Sequence, residues 1–503
     1  MFGPLGEEEL IRVKRQELSE DHGLDAPGNL LNRREALKRG GAALLASLPL
    51  RASGQTESRR PKKVIVGGGG IAGLSCAYEL KKLGHDVTLL EASGRAGGHV
   101  RTLHDPFPDG LYADAGAEHC YFPGYTLYQQ LVHELDLPLI SYPRRHNMVR
   151  VIQGKLYREE DLHSRSILGG LGLNQREITY LADHPWWEIP LIYVQSYVDQ
   201  VKKEDTPFGW GLDELDRMSL TDLLKREGAS SPVLSGDVYG GNSGSALEYI
   251  WNAAMKQLRG APLLSRDLFR IQGGNQCLTD AFAKQLRERI QLWCAVEGIR
   301  QGAAGVTVTY RRAGQRLDSE ADYLVCCMSA IMLRQISVSP PWPEEKNYII
   351  RNLPYYTLAR VIFQSRTKFW EKDRVSPNME FNDPSLTDCW QMAEDVSTPR
   401  GILIGSAPAS SSAETALAAF RKYYPGKSED IEQVTLWNWA THPWAMGCER
   451  INYPPGELAK FWPKVTEPCN RVHFAGAYAA NMSWGQEAAL ESAHRAAQAI
   501  HAA

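Results

Sequence analysis

This chain has no excess of charge of either sign. Lys and Arg number 56 against 59 Asp and Glu, a formal net charge of -3 over 503 residues, so no broad electrostatic footprint for nucleic acid is visible. Cysteines are sparse and scattered. The nine of them (Cys76, Cys120, Cys277, Cys294, Cys326, Cys327, Cys389, Cys448 and Cys469) are odd in number and show no metal-type spacing, which argues against zinc and iron–sulfur sites. Most read as small buried apolar groups. The apolar run Gly40 to Leu50 is too short to span a bilayer, so no integral membrane span is expected. No internal repeat or low-complexity tract is present beyond the short Ala409–Ser412 run. What remains is a chain long enough for two or three domains with full cores.

The most informative segment starts at Lys62. Lys62 to Val66 reads as a buried strand, and Gly68, Gly70 and Gly73 allow a tight turn and close backbone approach to a pyrophosphate. A helix from Ile71 to Leu83 points its positive end at that phosphate. Asp86 to Leu90 is the second strand, and Glu91 at its end is placed to accept hydrogen bonds from an adenosine ribose. Strand, glycines, helix, strand and terminal acid in register predict a dinucleotide site, flavin or nicotinamide.

The next stretch, Glu91-Ala-Ser-Gly-Arg95-Ala-Gly-Gly98-His-Val-Arg-Thr102, resembles the second FAD signature of the flavin amine oxidase family, which includes monoamine, polyamine and L-amino-acid oxidases. There, an arginine and paired glycines wrap the pyrophosphate, which implicates Arg95 and Gly98. Ile271–Asn275 and Arg471–Gly476 agree with the family in the expected order, and the resemblance spans about Lys62 to Ala503. It implies an α/β fold: a two-dinucleotide-binding-type FAD domain, Rossmann-like and p-hydroxybenzoate-hydroxylase-like, interleaved with an α+β substrate domain and a helical lobe. The expected partition is an N-terminal extension over 1–60, FAD-binding parts over 61–124, 265–335 and 465–503, a helical substrate lobe over 125–264, and a substrate-binding sheet over 336–464. Gly305–Arg311 and Ala321–Met328 are expected to return to the FAD-domain sheet. Gly116 is expected beside the flavin, Val296 in the strand holding adenine, and Gly476 and Glu487 in the last cofactor block, with the helix from about Gln486 to Ile500 facing the flavin's pyrimidine edge.

Three positions depart from the family pattern. Arg360, ten residues before Trp370, stands where the family usually carries a lysine that holds a water at flavin N5; an arginine stays charged and is no base near neutral pH. The alternative is that Arg360 pairs with a carboxylate. Glu118-His119-Cys120 replaces the arginine that clamps a substrate carboxylate in amino-acid oxidases, favouring an amine over a free α-amino acid unless another cation does the clamping. His119 either orients the amine and assists proton transfer or is a hydrogen-bonded structural histidine. Cys448 matches the cysteine linked to flavin in monoamine oxidases, as a thioether or as a free thiol nearby, and Glu449 replaces an aromatic wall, either attracting a cationic amine or pairing with Arg450. Trp437, Trp439, Trp444, Tyr453, Tyr478 and Trp484 supply candidates for the aromatic slot.

The resemblance therefore implies FAD as cofactor and an enzyme that oxidises a small-molecule amine or amino acid, with oxygen or another electron acceptor as oxidant. A homodimer is compatible with it. An L-amino-acid oxidase, a carotenoid-type desaturase or isomerase, and a non-catalytic flavin-binding protein are the alternatives. Ahead of this body, Asn32-Arg33-Arg34-Glu35-Ala36-Leu37-Lys38 leading into Gly40–Leu50 resembles a twin-arginine export signal, with Ala52–Gly54 as small residues for cleavage; a docked amphipathic helix is the other reading. Export would place the protein in the periplasm or outside the cell; otherwise it is cytoplasmic.

Overall fold

The computed structural model describes residues 60–239, 243–447, 452–480 and 485–503. The export-signal reading falls outside them, as do Cys448, Glu449 and Trp484.

At the centre of the side expected to bind the cofactor is a five-stranded parallel sheet in the order Val472–Phe474, Tyr323–Cys326, Lys63–Gly67, Asp86–Leu90, Ile290–Gln291. Its central strand, Lys-Val-Ile-Val-Gly, is apolar on both faces because both are covered. Val64 and Val66 pack under the helix Ile71–Lys82 and the long C-terminal helix Gly485–Ala502, whereas Ile65 faces a second apolar layer containing Val306, Val308 and Ile299. That layer comes from a separate four-stranded sheet of Gln315–Ala321, Val306–Arg312, Ala295–Gln301 and Ser337–Ser339. The segment Gly305–Arg311 thus joins this sheet and not the parallel one, as a regular antiparallel pair with Gln315–Ala321. Its hairpin connections make antiparallel pairing with its sequence neighbours the short route.

The second body is a seven-stranded sheet ordered Ile431–Asn438, Leu358–Ser365, Gly401–Pro408, Leu386–Met392, Met379–Asp383, Val149–Ile152, Lys155–Arg158. The last two strands come from the stretch expected to be a helical lobe. They form a hairpin around Gln153-Gly154, both at positive φ, a two-residue turn signal hidden inside a region dominated by helices. Helices Gln175–Leu181, Leu191–Val198, Leu220–Arg226 and Ala246–Leu258 make up most of the rest of that stretch. No described helix is long and apolar enough to cross a membrane.

The alternation of Leu-Ala-Arg-Val-Ile-Phe-Gln-Ser in the Leu358–Ser365 strand decides what the site receives. Val361 and Phe363 face the helix Ala413–Tyr423, while Ile362 belongs to the core shared with the cofactor side. With period 2, Arg360 shares the face of Ile362.

Candidate active site

Two glycine-rich turns meet face to face. Gly70 and Gly97 form a bridge, Gly97 N–H donates to Gly69 O at 2.7 Å, and a Cβ on Gly98 would lie 3.0 Å from the Gly70 Cα. Gly68 sits at φ +104°, and a Cβ on Gly73 would come within 1.9 Å of the Gly68 carbonyl oxygen, so that turn closes only with glycine. Gly70 is different. Its Cβ would meet nothing nearer than 4.0 Å, and as N-cap of the Ile71–Lys82 helix it offers no side-chain cap. Open space at an uncapped helix N-terminus is what a pyrophosphate needs. Glu91 ends its strand with Oε2 accepting from Gly69 N–H at 2.7 Å and Oε1 from Ser93 N–H at 2.8 Å. Val296 closes the near edge, its Cγ2 3.7 Å from where a Gly67 Cβ would stand. These residues fit the adenosine diphosphate half of FAD.

Two candidates take different work from that expected. Arg95 donates to the carbonyls of Ala96 at 2.9 Å, Val100 at 3.0 Å and Gly98 at 2.7 Å. It fastens the glycine loop rather than reaching out from it. Glu487 accepts from the backbone N–H groups of Leu127 and Tyr128 at 2.7 and 2.9 Å, capping the Thr126–Glu134 helix from the C-terminal helix. Burial raises its pKa to about 7. Gly476 is anchored to the same helix, its N–H donating to Ser492 Oγ at 2.9 Å.

On the side where the flavin is expected, three segments interlock. A Cβ on Gly116 would fall 1.7 Å from His99 O and 3.3 Å from the Trp439 ring. Trp439 donates through Nε1 to Ala115 O at 2.8 Å and lies 4.5 Å from the His99 ring, whose Nε2 is 2.9 Å from Ala445 O. Burial lowers the His99 pKa to about 4, so the imidazole is neutral. Trp437 stands 5.7 Å from Trp439 with the Arg101 guanidinium over its ring. The other described aromatics of the expected slot part company: Trp444 is exposed, Tyr453 packs on Phe461 in the core, and Tyr478 is buried beside Gly476.

Arg360, Ser406 and Asp388 lie in one row across the sheet, with Trp437 next to Arg360. Arg360 Nη1 donates to Ser406 Oγ at 2.6 Å and Nη2 to Glu118 Oε1 at 3.3 Å. Its carboxylate partner therefore comes from the Gly116 segment. Arg144 donates to the same Glu118 oxygen, and Tyr142 hydroxyl to Oε2 at 3.3 Å. Arg144 and Arg360 flank Trp390, their guanidinium carbons 3.5 and 5.1 Å from its ring centre. His119 sits beside Glu118. Burial, then Arg145, Arg144, Arg360 and Lys256, push its pKa well down, so it is neutral. Arg144 and Arg145 carry no recognisable motif, and the adjacent pair after the Leu139–Tyr142 strand was the one available signal.

Asp114 explains part of the site's rigidity. Fully buried, its Oδ1 accepts from Thr102 Oγ1 at 2.6 Å and Asn275 N–H at 3.1 Å, tying the Gly-Gly turn to the flavin-side segment. Burial raises its pKa from 3.8 to about 7. The fold thus binds a proton that the unfolded chain releases, so this group's stabilisation is present below pH about 4 and is lost as pH rises toward about 7. Asp114→Asn keeps the Oδ1 acceptor without the charge. Its melting temperature relative to wild type should rise across that window, and a pH-independent difference would show that Asp114 does not titrate there.

The flavin containing amine oxidoreductase family matches residues 71–501. The L-amino-acid oxidase of Bothrops moojeni is 24% identical over 476 residues, covering 91% of this chain and 92% of its own, and that of Demansia vestigiata is 25% identical, covering 90% and 89%. Among solved structures, wild-type putrescine oxidase bound to putrescine superposes with a TM-score of 0.74 at 20% identity, and cyclohexylamine oxidase from Brevibacterium oxydans with 0.72 at 20%; each covers 88% of this chain and 99% of its own. FAD is the cofactor of this family of amine-oxidising enzymes, and the glycine cradle and Glu91 have the shape and chemistry to hold its adenosine half. With the match running from the helix that follows the first glycine turn to the last helix, the chain belongs to the flavin-containing amine oxidoreductases.

Proposed function

We propose that the protein oxidises the C–N bond of a small amine or amino acid to an imine, which water then hydrolyses. When bound, FAD supplies the hydride acceptor, N5, for the carbon next to nitrogen. The observation that carries this reading is the convergence of Arg360, Trp437, Trp439 and the Gly116–His119 segment on the sheet face turned toward the cofactor side. Trp437 and Trp439 would exclude water and orient the nitrogen, while the neutral His119 leaves no strong base beside it; a neutral amine giving up hydride needs none. The relatives' activities support the reaction class. The test is anaerobic stopped-flow absorbance against amines, polyamines and L-amino acids, followed by mixing with oxygen. Bleaching by one class fixes the substrate family. No bleaching by any would move the desaturase or non-catalytic reading ahead.

Arg360 bears on the oxidant. A permanently charged group fixed by Ser406 and Glu118 cannot hold and exchange a water as an amine can, which favours an acceptor other than oxygen. Arg360→Lys should speed reoxidation of the reduced enzyme by oxygen, read in the same stopped-flow experiment. An unchanged rate would place Arg360 away from the flavin.

We also infer twin-arginine export from the sequence before Lys62. Arg33→Lys with Arg34→Lys should retain the protein, with flavin bound, in the cytoplasmic fraction. Unchanged fractionation would favour the docked-helix reading.

A further inference from the structure

A strained residue stands at the rim of the adenosine site. The loop around it runs from the edge strand Ile290–Gln291 of the parallel sheet to the Ala295–Gln301 strand, which carries Val296. Both ends of the loop are tied to Glu91, whose N–H donates to Gln291 O at 2.9 Å and whose carbonyl accepts from Cys294 N–H at 2.7 Å. Between them Trp293 N–H donates to Ser93 O at 3.0 Å, with φ at +59°. In that left-handed region a bulky side chain is an outlier, whereas glycine and asparagine are ordinary. The conformation sets the indole against Gly94, where a Cβ would lie 2.2 Å from Trp293 Cζ2, so the ring keeps its place only over a glycine. Burial does not account for the strain. Trp293 is 58% exposed, the most of any large apolar residue among those described. Strain held in place by its surroundings marks ligand clamps more often than packing.

We propose that Trp293 is an aromatic wall of the adenosine site, its ring held over Gly94 so that it stacks on the adenine of FAD and slows release of the cofactor. The loop's two bonds to Glu91 and its continuation into Val296 put Trp293 between the acid that takes the ribose and the strand that takes the adenine. A purine presents a π face to an indole whatever its edge pattern, so the wall adds retention to the hydrogen bonding that Glu91 supplies. The inference rests on the assignment of Glu91 and Val296 to the adenosine half of FAD, and it adds to them a residue that carries no cofactor motif.

The experiment follows the rise of free flavin fluorescence after dilution of the holoprotein, with the melting temperature taken separately in excess FAD. Trp293→Asn, which suits the left-handed backbone, and Gly94→Ala, which displaces the ring without removing it, should each release FAD about 10-fold faster than wild type, the scale of one lost base–aromatic stack. Trp293→Phe should keep most of the retention. In excess FAD, Trp293→Asn should melt no lower than wild type, because the backbone strain leaves with the indole. Unchanged release from Trp293→Asn and Gly94→Ala, beside fast release from Glu91→Ala, would overturn the inference and leave the adenosine site standing. Unchanged release from Glu91→Ala as well would overturn both. Faster release from Trp293→Asn accompanied by a lower melting temperature would show that the indole serves the fold and not the cofactor, and would also overturn it.

Discussion

Gly70→Val should give a folded protein that carries no flavin. The backbone at Gly70, φ -71° and ψ 179°, is open to valine, and the nearest atom to its Cβ is 4.0 Å away, so the fold has no objection; the added methyls fill the space reserved for the pyrophosphate. Gly73→Ala is the contrasting control. Its Cβ would meet the Gly68 carbonyl at 1.9 Å, so the backbone must move and stability should fall together with flavin content. Glu91→Ala should also strip flavin: it removes the ribose acceptor and orphans the N–H groups of Gly69 and Ser93. The lost bond from the ribose to a charged acceptor, about 1.5–3 kcal/mol, should lower flavin affinity about 10- to 150-fold, and the orphaned N–H groups should lower stability as well. The measurement is the flavin-to-protein absorbance ratio beside a thermal melt. Full flavin in both Gly70→Val and Glu91→Ala would overturn the site assignment.

Arg270→Met should be among the most destabilising single changes in the molecule. Arg270 is fully buried on the Leu268–Ile271 strand and holds Glu394 and Asp395 at 2.9 Å each, with Tyr112 hydroxyl on its other nitrogen. Tyr112 in turn donates to Asp395 at 2.7 Å and accepts from Gly273 N–H at 3.2 Å. The network thus joins the Gly273-Gly274 turn, the strand leading to Gly116 and the turn after Met392. Removing the cation leaves two carboxylates facing each other with little water, a loss of about 3–5 kcal/mol. Adding Glu394→Gln and Asp395→Asn should recover much of it, because the three groups act as one unit. Chemical denaturation of the holoprotein reads both. A loss under about 1 kcal/mol would mean that water reaches the carboxylates and screens them as on a surface.

How much of this was legible beforehand varies by residue. The glycine cradle and Glu91 lay where expected because strand, turn, helix and strand are contiguous and each glycine answers a local steric demand. Arg95 and Glu487 were found by position but not by task, since nothing local says that a guanidinium turns back on its own loop or that an acid caps a helix some 360 residues earlier. The Val149–Arg158 hairpin was missed because its turn signal sits among helical patterns. Arg144 and Arg145 were missed because charge on a loop normally means solvent.

By itself, then, the sequence determined a dinucleotide cradle, which rests on a short motif whose physics is local, namely φ, Cβ clearance and the helix terminus; FAD, the order of its blocks and the reaction class came from the resemblance to the amine oxidase family. The tertiary structure alone decided what surrounds the reacting bond. Arg360 and Glu118 are 242 residues apart and belong to different segments. They meet because the Leu358–Ser365 strand turns Arg360 toward the cofactor side and the Gly116 turn delivers Glu118 to it. Pairings of that kind follow from sheet register and packing across bodies, which no local pattern encodes.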